Sequence, residues 1–199
     1  SKIIFLQEKT KKEMRKLSLF LSLALSILYF HSANGQIGKA PEGYSPQIGS
    51  MVLMLEDLKE RVAYTVKDLS QKETDFLLDE KATRVGALVL HLAATEKFYQ
   101  VYTFKNRGYS EEEKLVWDIP MDLGDKAREE LVGKPIDYYL KRWDEVRKES
   151  LRLLKTKDDE WFNSKMTDSD LTNHYAWYHV MEHQANHLGQ ILLVLNRAK

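Results

Sequence analysis

Apolar residues recur at helical spacing in four long stretches of the chain, and sustained strand-like alternation appears in none of it. Met51, Leu55, Leu58, Val62, Val66 and Leu69 share one face of a helix predicted over residues 50–69, with Ser50 as its cap. Val85, Leu88, Leu92 and Thr95 mark a second helix over 83–104, opened by Thr83 and ended at Asn106-Arg107-Gly108. Ile136, Tyr139, Leu140, Trp143, Val146, Ser150 and Leu154 mark the inner side of a third over 135–155, with Pro135 in its first turn. A fourth, over 171–196, follows the cap-rich run Asp168-Ser169-Asp170-Leu171-Thr172-Asn173. Between them, residues 70–82 read as a polar loop with a turn at Phe76-Leu77-Leu78. Residues 109–133, with Pro120 and two glycines, read as a long connection holding one short helix. The expected fold is all-α, an antiparallel four-helix bundle with a long connection between helices 2 and 3.

The N-terminal part has a different pattern. Lys11, Lys12, Arg15 and Lys16 precede the apolar run Leu17–Phe30, and small residues Ala33 and Gly35 follow. That order describes a secretory signal peptide, so residues 1–35 are expected to direct export, to the periplasm or the medium of a bacterium. The competing readings are a retained membrane anchor or a buried helix; the run falls short of the roughly 20 apolar residues of a span. Residues 36–49, rich in Gly, Pro and Ser, read as a linker, and the bundle is expected over 50–199.

The whole chain is neutral. Cleavage after Gly35 removes six of 30 basic and two of 30 acidic residues, leaving net −4. Such a chain offers no global field for nucleic acid. Local basic pairs, Lys141-Arg142 and Arg147-Lys148, alternate with acids and read as solvated helix faces. The absence of cysteine excludes disulfides, thiolate ligands and a Cys nucleophile, so a transition-metal site must use His, Asp or Glu.

Four of the six histidines lie between His174 and His187, and His183 and His187 are four residues apart. That spacing sets both imidazoles on one helix face, one turn apart, where one ion can bridge them. They sit on an apolar helix, so either hydrogen bonds or a metal must satisfy them. A third ligand has to come from elsewhere. His91, within Leu88-Val89-Leu90-His91-Leu92-Ala93-Ala94, is expected to be buried, as a ligand or as a hydrogen-bonded core residue. His179 competes, one turn before His183. His179 and His187 are about 12 Å apart along the axis, so at most two of that stripe bind one ion directly. His174, about half a circle away, reads as a surface residue. His179-Val180-Met181-Glu182-His183 matches H-x-x-E-H, but no acidic ligand follows it.

Taken together, His183-Gln184-Ala185-Asn186-His187-Leu188-Gly189-Gln190-Ile191 and the helix carrying His91-Leu92-Ala93-Ala94-Thr95-Glu96-Lys97-Phe98 resemble the DinB-like family of bacterial proteins, over most of residues 48–196. The resemblance implies a four-helix bundle, often dimeric, with His91, His183 and His187 holding a divalent ion, zinc or nickel. His179 and Gln190 are then expected beside the ligands or at the pocket mouth, and Gly189 is expected to permit close helix approach. Many relatives carry Arg where this chain has Leu188.

Three histidines leave an open coordination position, the arrangement of catalytic sites, where a bound water approaches a neutral pKa. Relatives include thiol-dependent transferases and metal-dependent hydrolases, so the expected activity is one of these on a small molecule. The alternative is a non-catalytic metal-binding or interaction module. No catalytic side chain is identified. Glu96 projects about 140° from His91, and Glu182 points off the ligand stripe. Tyr99, Tyr175 and Tyr178 are candidates to line a pocket, or belong to the core.

Overall fold

The computed structural model describes residues 40–198 and is all-helical there, with eight helices and a single isolated bridge, Lys165 to Thr172. The signal-like segment and the first part of the linker lie outside the described residues. No described helix is long and apolar enough to cross a membrane.

Helix α1, Pro46–Val66, starts four residues before the expected cap, so the end of the predicted linker is helical and Ile48 and Gly49 are buried. Pro46 suits a first helical position. The free amides of this end are capped from afar: the Asp159 carboxylate accepts from the Gln47 and Ile48 amides at 3.1 and 3.4 Å and from Ser45 Oγ at 2.5 Å. Helix α2, Gln71–Thr74, replaces part of the predicted loop. Ser70 and Glu73 form a capping box there.

Helix α3, Val85–Lys105, is the central element. It packs against the α6 and α8 helices described below, and every residue from Val85 to Glu96 is buried. It is buried all round and not on one face, as the continuous sequence VGALVLHLAATE allows. Thr83 does not cap it; Arg84 holds that position. Asn106, in the left-handed region at φ 53°, ends it.

The connection 109–133 holds two helices and not one: α4, Glu111–Asp122, and α5, Gly124–Glu130. Ser110 and Glu113 cap α4 reciprocally. Leu123, at φ 56°, and Gly124, at φ 70°, break the chain between them. Helix α6, Ile136–Leu154, then buries Ile136, Tyr139, Trp143, Val146, Ser150 and Leu154, and packs chiefly on α3. Gly86 makes that approach possible, since a Cβ there would lie 2.5 Å from the Tyr139 ring. After α7, Asp159–Asn163, Thr172 caps α8, Asn173–Arg197. Helix α1 packs chiefly on α8.

One apolar cluster joins Val62, Leu88, Leu92, Trp143 and Ile191. Another joins Ile48, Leu55, Phe162 and Trp177. Among the buried polar groups, a charged network ties the four long helices together. Glu96 accepts from Arg147, from Trp143 Nε1 at 2.9 Å and from Ser150 Oγ at 2.5 Å. Arg147 also donates to the Leu55 carbonyl and to Glu56, both at 2.7 Å. Gln184, beside His183, contacts both Glu96 and Arg147. Arg147 is thus not on a solvated face as its sequence neighbours suggest; only 3% of it is exposed.

Candidate metal centre

The packing of α3 on α8 brings His91 together with His183 and His187. The Nε2 atoms of His91 and His183 lie 2.8 Å apart, and those of His183 and His187 lie 3.0 Å apart. One ligating atom from each of the three fits within 4.8 Å, so this group can hold a metal ion. His91 and His187 are buried and His183 is half-buried, which makes His183 the open side.

Outer partners set the tautomers. His91 Nδ1 lies 2.8 Å from the Pro120 carbonyl, which can only accept, so the proton is on Nδ1. That carbonyl is free because α4 ends two residues later. His187 Nδ1 likewise donates to Gln190 Oε1 at 2.7 Å. In the neutral rings both Nε2 atoms therefore present lone pairs. His183 Nε2 faces both and can give a proton to only one. Hydrogen bonds among the three rings cannot satisfy all three converging nitrogens, whereas one cation can. Tetrahedral zinc sites hold such nitrogens roughly 3.3 Å apart, from bonds of about 2.0 Å, so small ring rotations suffice.

The rings are kept neutral. Burial, then the neighbouring His187, His91 and His179, push the His183 imidazole down to about 3. Burial also lowers His91 and His187, against the raising effect of their hydrogen bonds. Neutral imidazole is the metal-binding form.

The other sequence candidates fall out differently. His179 is one turn from His183, ring centroids 5.6 Å apart, with Nδ1 3.6 Å from Glu182. It borders the cluster without joining it. Gln190 orients His187. His174 stacks on Phe162 at 4.6 Å, outside the cluster. Gly189 is exposed with nothing within 4 Å of an added Cβ, so it mediates no helix approach among the described residues. Leu188 is buried, 6% exposed. Glu96 is held as a carboxylate: burial pushes it up, but Arg147 and the hydrogen bonds outweigh burial and hold it below its ordinary range. The Pro120 carbonyl is the site group that sequence reasoning missed; Ser110-x-x-Glu113 signalled the helix that carries it.

Residues 50–195 match the family model described as mycothiol-S-transferase, a span that includes all three histidines. Comparison with curated proteins finds no match.

Proposed function

The chain belongs to the mycothiol-S-transferase family, a DinB-like family, and on that footing we propose that it is a metal-dependent S-transferase. Its fold in this reading is an antiparallel four-helix bundle of α1, α3, α6 and α8. His91, His183 and His187 hold a divalent ion, zinc or nickel, through Nε2. The observation that carries the proposal is the convergence of three neutral imidazoles whose Nδ1 atoms are already committed to Pro120 and Gln190 on two of them. When bound, the ion supplies Lewis acidity that lowers the pKa of a thiol and leaves a position for it. The chain's residues do the rest. Pro120 and Gln190 fix ring orientation, and the half-buried His183 side admits the substrates. Transfer forms a carbon–sulfur bond on an electrophile and breaks its bond to the leaving group, which departs with the electron pair. The thiol proton passes to the leaving group or solvent.

Hydrolysis needs a proton acceptor beside the attacking water. The only buried carboxylate among the described residues, Glu96, is committed to Arg147. That favours transfer. The experiment is adduct formation between mycothiol and monochlorobimane by the zinc- or nickel-loaded protein. Catalysis lost in His91→Ala, His183→Ala and His187→Ala is expected. Metal binding with no rate above background would leave a non-catalytic metal-binding module.

The same reading includes export and a homodimer. N-terminal sequencing of the exported protein, expected to begin at Gln36, and light scattering test these.

A further inference from the structure

Away from the histidines, α3, α4 and α6 enclose an open cleft of about 330 Å³. Gln100, which lines it, follows His91 by nine residues, half a circle on a helix, so the cleft lies on the opposite side of α3. Its walls are apolar: Trp117 and Val146 are buried, and Val116 is exposed. The cleft shares no residue with the metal centre.

The charges around the cleft are paired except at Lys97. Arg142 lies 5.1 Å over the Trp117 ring and donates to Glu145 at 3.3 Å. Arg152 holds Glu149 through two bonds of 2.7 Å. Arg107 holds the neighbouring Glu113 at 2.6 Å, with Lys105 at 3.5 Å. Lys97 is half-buried and forms no ion pair with any carboxylate among the described residues. It donates to Gln100 Oε1 over a long 3.4 Å. Gln100 Nε2 is committed to the Val146 carbonyl at 2.6 Å and to Ser150 Oγ at 2.7 Å, which fixes the amide with its oxygen toward the lysine. Burial, then Lys105, push the Lys97 amine down, against the pull of Glu113 and Glu149. An ammonium has three donors, so most of this one's capacity is left for an incoming acceptor.

We propose that this cleft binds a small monocarboxylic acid with a flat apolar body, its carboxylate on Lys97 and its body against Val116, Trp117 and Val146. One unpaired cation beside apolar walls fits one negative charge on an apolar ligand. Glu145 and Glu149 line the same cleft and repel a second negative charge, so a phosphate or dicarboxylate is disfavoured.

The test is an NMR titration of phenylacetate into the full chain, beside its neutral counterpart phenylacetamide. Phenylacetate should bind, and phenylacetamide should bind roughly tenfold more weakly or worse. Lys97→Met, which keeps an apolar stem, should weaken phenylacetate by a similar factor, with its unfolding midpoint confirming the fold. Lys97→Arg should retain most of the affinity. A carboxylate could also reach the metal centre, so His183→Ala provides the second arm: it should leave phenylacetate binding unchanged. No binding by wild type, equal affinity for the acid and the amide, or unchanged affinity in Lys97→Met would overturn the proposal. Loss in His183→Ala with retention in Lys97→Met would overturn it too, by placing the acid at the histidines.

Discussion

Arg147 grips Glu96 through two parallel hydrogen bonds, Nε to Oε1 at 2.8 Å and Nη2 to Oε2 at 2.9 Å, with both side chains buried. Removing one partner leaves an uncompensated charge in the core. Arg147→Met is expected to destabilise the fold by about 3–5 kcal/mol in urea denaturation. The double variant Glu96→Leu, Arg147→Met should recover much of that loss. A single variant within about 1 kcal/mol of wild type would contradict a tightly packed pair.

Gln190 acts on the cluster through His187 alone, and it is itself exposed. Gln190→Ala should lower metal affinity roughly 10- to 100-fold, read by chelator competition, with little change in unfolding midpoint. Unchanged affinity would mean that the hydrogen bond does not orient the ring.

Acid should weaken the metal-free protein through the same histidines. The folded His183 imidazole lies at about 3, below its unfolded value near 6.5. Between those values the unfolded chain binds a proton that the folded chain does not, so stability is full above about 6.5 and falls with pH through that window. Chemical denaturation of the metal-free protein across the window should show this fall, and His183→Gln should flatten it. A flat wild-type profile would remove His183 from the acid response.

The helical signals were legible where they were local. The period of the apolar residues located the four long helices, and the His183–His187 spacing and apolar surroundings of His91 pointed to the three rings that meet. What was not legible depends on distant partners. Nothing near Arg147 in sequence reveals Glu96, fifty-one residues away. Ser45-Pro46 is a local signal for the start of α1 that the apolar period passes over, whereas the distant Asp159 that caps its amides has none. The Pro120 carbonyl becomes a partner for His91 only when α4 docks on α3.

Two glycines should respond in opposite ways. Gly86→Ala places a methyl 2.5 Å from the Tyr139 ring and should cost about 1–3 kcal/mol. Gly189→Ala meets open space in mid-helix and should stabilise by up to about 1 kcal/mol. Thermal unfolding of the two variants checks both signs; a more stable Gly86→Ala would contradict the close packing of α3 on α6.

Metal content of the full, untagged chain, by elemental mass spectrometry beside His183→Ala, tests the centre most directly. The expected result is about one zinc or nickel ion per chain, lost in the variant. No bound metal in wild type, even after reconstitution, would contradict the metal centre.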